Sequence, residues 1–289
     1  MFKIIEKTKI WFISSLLIIA IGIGFMIYRG GLNFGIDFRG GTQITIDFKK
    51  DFNKADVDTI IKKYLDDAVT NTVNSTQLEV KTKYMDTTKV GNLTKDLKDK
   101  YKIEDKDFTK QEIGQSIGSE LTKNSFIALA ISLVVILLYI AVRFEFNFGI
   151  AAIVALVHDV LITLTVYSVF NIPVNTPFIA AVLTIIGYSM SDTIVIFDRI
   201  RENTKKYRKM HYVELANRSI TQTFARSINT ALTTLITTSA VYFFVPSVRD
   251  FAFPLIIGIV SGAYSSIFIA SPIWVMLKNR REKAKVKTA

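Results

Sequence analysis

IWFISSLLIIAIGIGFMIY, residues 10–28, is a run of nineteen residues without a charge, and an apolar helix of ~20 residues is what crosses the hydrocarbon core of a bilayer. Lys3, Lys7 and Lys9 precede it, and Arg29, Gly30 and Gly31 follow without a small-x-small cleavage site. It therefore reads as an uncleaved anchor rather than a signal peptide. Outward from this run, residues 124–142, 227–248 and 251–277 are also uncharged, while 148–170 and 176–197 are as apolar but carry one carboxylate each, Asp159 and Asp192. The pattern predicts a polytopic α-helical membrane protein with six transmembrane helices. Polar breaks at 171–175, with Pro173, and at 246–250, with Pro246, make hairpins of the third with the fourth span and the fifth with the sixth.

Composition agrees. Half of the 289 residues are hydrophobic and only 21% are charged, with a mean hydropathy of +0.33, too apolar for a soluble domain of this size. The chain has no Cys and two His, which excludes thiolate catalysis, Cys-ligated zinc and iron-sulfur clusters and leaves no basis for a metal or other cofactor. No nucleophile, base and oxyanion site are arranged by motif, so the chain does not read as an enzyme. The net charge of +11 is spread unevenly. The amino-terminal segment carries +2, the loop 198–226 carries +5 and the tail from Lys278 carries +5, whereas 29–123 holds 17 basic and 16 acidic residues. By the positive-inside rule both termini face the cytoplasm and 30–123 lies outside it. Topology and attraction to anionic membrane lipids account for the basicity, and no nucleic acid is expected as a partner.

The expected organisation is a cytoplasmic amino terminus with the first helix (1–29), an extracytoplasmic domain (30–123), a five-helix bundle (124–277) and a basic cytoplasmic tail (278–289). In the external segment Ile44, Ile46 and Phe48 alternate as in a half-buried strand. Val57, Ile60, Ile61, Tyr64 and Leu65 follow at helical spacing, then an alternating run over 73–85 broken at 74–76. A second helix with Val90, Leu93, Leu97 and Tyr101 and a short run at 108–113 complete it. Strand, helix, strands, helix, strand predicts an α+β domain of the ferredoxin-like kind between helices 1 and 2. The glycine-rich LNFGIDFRGGTQI, residues 32–44, is not a phosphate loop, since no Lys-Ser/Thr follows Gly41. It reads as an elbow in which Asp37 and Arg39 cap or pair locally, or as a link passing motion to the membrane.

Carboxylates inside the lipid carry the functional signal, because each costs ~2.5–3.5 kcal/mol to insert. Asp159 follows His158 in ALVHDVLIT, and Asp192 follows Ser191 in GYSMSDTIVIFDRIRE. Asp198, beside Arg199 and Arg201, reads as an interfacial network. In the fifth span Arg226, Thr230, Thr233 and Thr237 lie at i, i+4, i+7 and i+11, a polar stripe on one helix face. Such a stripe either glues helices by back-bonding hydroxyls, with Arg226 snorkelling to the surface, or forms a wet path on which Arg226 answers the charge of Asp192. Gly258, Gly262 and Ser266 recur at intervals of four and read as close helix packing.

The segments LNFGIDFRGGTQI, VRFEFNFGIAAIVALVHDV (142–160) and GYSMSDTIVIFDRIREN (187–203), in this order, make the chain resemble the SecF family of membrane subunits, within the RND superfamily of proton-driven transporters. The resemblance spans nearly the whole chain. It departs at Ser191, where the family usually has Asn, and at Gln115, where it usually has Pro. The resemblance implies a pseudo-symmetric twelve-helix pair with SecD beside the Sec channel and its associated subunits, in the inner (cytoplasmic) membrane. Such a pair uses the proton gradient to promote export of unfolded polypeptide. It also implies that Asp192 and Arg226, in ITQTFARS, are the proton-coupling pair, meeting a carboxylate of SecD. His158 and Asp159 match the family's His-Asp pair, expected to be more structural, with Ser191, Thr230, Thr233 and Thr237 as supporting polar residues. Residues 42–113 would serve as a base for the larger SecD domain. Half of an RND-type small-molecule or lipid exporter, and a scaffold without a transport cycle, remain alternative readings, and the coupling ion is open between H⁺ and Na⁺.

Overall fold

The computed structural model describes residues 2–73, 75–82, 87–143, 145–245 and 248–288. Asn74, Met85 and Pro246, which figure in the sequence reading, lie outside the described residues. The chain divides into two units: a helical one, Met1–Asn33, Ala128–Ile172 and Pro177–Ala289, and a second one, Phe34–Ile127 with Pro173–Thr176. A 3-10 turn at Ile5–Lys7 leads into α1 (Thr8–Tyr28), and then a short helix α2 (Ile36–Arg39) opens the second unit.

That unit continues as β1 (Gly41–Asp47), α3 (Lys54–Tyr64), β2 (Val69–Thr72), β3 (Gln77–Thr82), α4 (Thr87–Tyr101) and β4 (Phe108–Ile113). The four strands form one sheet in the order β2-β3-β1-β4, every neighbouring pair antiparallel. The register sets Ile44 opposite Val80 and Ile46 opposite Leu78. With a side-chain period of two, Ile44, Ile46 and Phe48 share one face, where they are buried with Val57, Ile61 and Leu65 from the α3 side and Leu93 and Leu97 of α4. Ile60 and Tyr64 sit at the margin of this core. Asn53 caps α3 by accepting the amide of Ala55 at 3.0 Å, one of the donors that a helix start leaves unpaired.

Between α3 and α4, Asp96 accepts the Tyr64 hydroxyl at 2.5 Å and the Lys63 ammonium at 3.4 Å. The Tyr64 hydroxyl first, and Lys63 after it, hold this carboxyl below the usual carboxylate range. A carboxyl whose folded pKa is depressed stabilises the fold above its unfolded value and loses that contribution as pH falls through the folded one. Tyr64→Phe removes the larger cause. It should move the acid-unfolding midpoint of this domain modestly upward, as read by circular dichroism of the full chain; an unmoved midpoint would contradict this account of Asp96.

In the elbow, Gly40 and Gly41 have φ of +73° and +146°, a backbone that side chains resist, so the chain turns into β1 there. Arg39 lies over the Phe34 ring at 6.0 Å, a local contact as expected. Asp37 is not local. Its Oδ2 accepts the backbone amide of Thr176 at 2.8 Å, while Gly35 N donates to Val174 O at 2.8 Å. The elbow thus holds the start of a helix 139 positions away.

The remaining helices are α5 (Gln115–Arg143), α6 (Phe146–Phe170), α7 (Thr176–Lys206), α8 (Tyr212–Phe244), α9 (Arg249–Ser265) and α10 (Ser271–Thr288), the last two joined by a π-helical turn, Ser266–Ala270. Among the described residues five stretches are long and apolar enough to cross a membrane: Ile5–Tyr28, Ser116–Ile140, Phe146–Phe170, Thr176–Lys206 and Arg249–Glu282. Their outer flanks are bare hydrocarbon, with Ile13, Leu16 and Leu17 on α1 and Ile131, Val134 and Leu138 on α5 all exposed. A contiguous apolar surface of that kind is costly in water and at home in lipid.

The sixth expected span, 227–248, is not among the five. It lies mostly in α8, whose Ser227, Asn229, Thr230, Thr233, Thr234, Thr237 and Thr238 dilute the aliphatic residues.

Within the helical unit α6 packs against α1 and α9, and α8 against α9. At Gly258 a Cβ would enter the side chain of Ile185, and at Gly262 it would stand 3.0 Å from Ser189 Cβ, so the expected close packing is realised between α9 and α7. Gly258→Val should cost ~1–3 kcal/mol by overpacking, measured by denaturant unfolding in detergent; unchanged stability would show that the two helices are free to separate.

Candidate functional site: two carboxylates on one serine-lined seam

The seam is set by chain geometry. On α7, Ser189 and Asp192 are three residues apart and so lie on one side of the helix. On α9, Ser261 and Ser265 are four apart and point the same way, with Ser266 one residue on.

Asp159 is completely buried. Its Oδ1 accepts Ser261 Oγ at 2.6 Å and pairs with His158 Nδ1 at 3.1 Å. Its Oδ2 accepts Ser189 Oγ at 2.6 Å and Ser265 Oγ at 2.8 Å. Desolvating a lone carboxylate costs several kcal/mol, and four hydrogen-bonding partners from three helices offset that cost here. The arrangement extends to a fourth helix. His158 Nε2 meets Ser15 Oγ of α1 at 3.0 Å, Ser15 donates to Tyr264 Oη at 3.3 Å, and Tyr264, stacked on the imidazole, donates to Trp11 O at 3.0 Å. Asp159 is thus a hub tying α1, α6, α7 and α9 together.

Asp192 is placed differently. It is half-buried, and its Oδ2 is shielded from solvent yet has no hydrogen-bond partner. The groups that act on it are the hydroxyls of Ser227 and Ser266 and the charge of Arg226. Ser227 is itself buried with an unpartnered Oγ, and Ser266 Oγ lies 2.8 Å from Thr193 Oγ1. No ion pair within 4.0 Å joins Asp192 to Arg226 among the described residues, so the guanidinium acts at longer range. An open groove of about 830 Å³ runs alongside, lined by Tyr139 of α5, Ser191 and Asp198 of α7, and Gln222 and Arg226 of α8. Ser191 lines this groove, so the unpartnered oxygen of Asp192 belongs to the next residue along α7.

Arg226, Thr230, Thr233 and Thr237 are all exposed on α8. Thr233 donates to Asn229 O at 2.9 Å and Thr237 to Thr233 O at 3.0 Å, so these hydroxyls return to their own helix while the stripe faces outward. Ser191 is exposed as well. At the end of α7, Asp198 lies 3.8 Å from both Arg143 and Arg201, the interfacial network that the sequence suggests.

The structure therefore brings together His158 and Asp159, and separately sets Asp192 near Arg226. Sequence reasoning missed Ser15, Ser189, Ser227, Ser261, Ser265 and Tyr264, and it read Ser266 as packing alone although its hydroxyl bonds Thr193. The available signal was serine at i, i+4 on the helix whose glycines pack against α7.

Against known proteins, the family described as "Protein export membrane protein SecD/SecF, C-terminal" matches residues 90–280, and the "SecD/SecF GG Motif" matches 27–51. The chain is 37% identical over 294 residues to the protein translocase subunit SecF of Sebaldella termitidis, covering 98% of this chain and 94% of that one. It is also 37% identical over 287 residues to the protein translocase subunit SecDF of Thermus thermophilus, covering 96% of this chain but 38% of that longer one. The crystal structure of the Thermus SecDF superposes with a TM-score of 0.83 at 35% identity, covering 96% of this chain and 39% of that one.

Proposed function

Because the chain belongs to the SecD/SecF family of protein-export membrane proteins, we propose that it serves Sec-dependent export as one half of a proton-driven pair. In SecDF relatives its counterpart is about four-tenths of a longer polypeptide, and in our reading a separate SecD-type subunit supplies the rest. Other partners are the Sec channel with its associated subunits, the unfolded polypeptide in transit and the membrane lipids. The observation that carries the proposal is the exposed polar face of Ser191, Arg226, Thr230, Thr233 and Thr237. The cation on this face has no place against lipid, so a second helical half covers it.

On the same reasoning α8 is the sixth span, because its threonine stripe turns to protein. Both termini are cytoplasmic in the bacterial inner membrane, and residues 30–123 stand outside as a ferredoxin-like domain, for which the βαββαβ order and the strand order β2-β3-β1-β4 speak. The domain serves as a base for the larger external domain of the partner.

In this mechanism Asp192 is the coupling carboxyl and Arg226 its answering charge, with a carboxylate of the partner completing the site. Ionised Asp192 draws the guanidinium in, and protonated Asp192 releases it. The two arrangements differ in proton affinity, as coupling requires, since a proton bound equally by both states shifts neither. Alternation of the two states rocks α7 and α8 against the partner's helices.

Arg226→Met tests the pairing. In proteoliposomes holding the complete export machinery, the variant should insert and assemble normally while gradient-dependent export falls at least about tenfold. Wild-type export would remove Arg226 from the mechanism, and a scaffold predicts that outcome.

A further inference from the structure

Resting on that reading, we propose that His158 and Asp159 form a second proton-binding site, and that it works in antiphase with Asp192 through the adjacent hydroxyls of Ser265 and Ser266. Asp159 is not locked into one protonation state, because Ser265 has one hydrogen and two acceptors. Its Oγ lies 2.8 Å from Asp159 Oδ2 and 3.2 Å from Gly262 O. With Asp159 ionised, Ser265 donates to the carboxylate. With Asp159 protonated, the new O–H donates to Ser265 Oγ, and the Ser265 hydrogen turns to Gly262 O. Neither state strands a buried polar atom, so the exchange avoids the penalty that normally fixes a buried carboxyl in one form.

Asp159 is flanked by few other titratable groups. His158 stands on its own helix and Tyr264 comes from α9; α1 presents Ser15 and α7 presents Ser189. Among the described residues no Lys or Arg lies within ion-pair range of Asp159, whose one ionic partner is His158. A hydroxyl string, Ser14 to Tyr264 to Ser15 to His158, leads toward the amino-terminal end of α1 and supplies a route for the proton.

Coupling to Asp192 follows from the shared turn. Gly262 O accepts Ser266 Oγ at 2.9 Å as well as Ser265, and Ser266 Oγ lies 2.8 Å from Oγ1 of Thr193, the residue after Asp192 on α7. When Ser265 turns to Gly262 O, that carbonyl holds Ser266 less strongly, and Ser266 is freed toward Thr193 and Asp192. A donor at Asp192 favours its ionised form, so a proton on Asp159 favours release from Asp192. The π-helical turn begins at Ser266, where Ser271 Oγ donates to Ser266 O at 3.1 Å; such turns are frequent at functional sites.

The test is infrared difference spectroscopy of the full chain assembled with its SecD-type partner in vesicles, stepping the pH. Two protonated-carboxyl bands are expected, one lost in Asp159→Asn and the other in Asp192→Asn. The Asp192 band should also titrate at a different pH once Asp159 is replaced. Ser265→Ala removes a charge-assisted bond from the ionised form and only a neutral one from the protonated form. The midpoint of the Asp159 band should therefore move up by about one pH unit. If Asp159→Asn does not assemble, Ser265→Ala decides, since three partners of the carboxylate remain. Absence of a band assignable to Asp159, or a midpoint that Ser265→Ala leaves in place, overturns the second site. Normal gradient-dependent export in Asp192→Asn would instead sink the function proposed above, whatever the Asp159 band does.

Discussion

Asp192→Asn should reduce export in the presence of a proton gradient to the rate seen when the gradient is collapsed, with insertion and assembly unchanged. Asn matches Asp in shape and cannot ionise, so it ends proton exchange without opening a cavity. Folding should tolerate it, because Oδ2 of Asp192 has no hydrogen-bond partner to lose. The size of the effect follows from the driving force. One charge moved across about 100 mV releases ~2.3 kcal/mol, which biases a two-state equilibrium roughly 50-fold. Loss of one coupled proton per cycle removes that factor, so the acceleration of export by the gradient, about 50-fold, should disappear. The check is translocation of a secretory polypeptide into vesicles with the gradient imposed or abolished, and a variant that still responds to the gradient would exclude Asp192 as the coupling group.

Asp159→Ala should give the largest loss of stability of any single change in the helical unit, about 3–5 kcal/mol. Removing the carboxylate strands His158 Nδ1 and the hydroxyls of Ser189, Ser261 and Ser265 in a site closed to water. Each buried donor left without an acceptor costs ~1–3 kcal/mol before relaxation. Ser265 can still turn to Gly262 O, which limits the total. Unfolding in detergent by denaturant, together with the yield of assembled complex, measures this. Wild-type stability would mean that the hub is not what ties α1, α6, α7 and α9. The two variants thus separate by experiment: truncating Asp159, with its four partners, is expected to lower stability, and neutralising Asp192, with an unpartnered Oδ2, is expected to lower export while leaving stability intact.

The sequence made parts of this legible and hid others for physical reasons. Five spans could be read because lipid imposes one simple demand, a sufficiently long apolar run with few charges, and α1, α5, α6, α7 and α9 with α10 meet it. The sequence also read 227–248 as a span, but α8 is not among those five, because its Ser and Thr residues lower the apolarity that marks one. The sheet was legible from alternation at Ile44, Ile46 and Phe48, which the register places on the buried face. The partner of Asp37 was not, because a cap supplied across 139 positions leaves no local trace. Nor were Ser189, Ser261 and Ser265, because serine in a membrane helix serves close packing and hydrogen bonding equally well. Only the folded seam shows that a buried carboxylate stands in front of them. Asp192 and Arg226 were legible as outliers, a charge in oil and a cation heading a polar stripe, whereas the long range between them was not.

The most direct test of the account is proton flux itself, measured with a pH-sensitive dye inside vesicles containing the assembled complex while a polypeptide is being exported. The account predicts inward proton movement linked to export in the wild-type protein and none above leak in Asp192→Asn. Flux of wild-type size in that variant would contradict it.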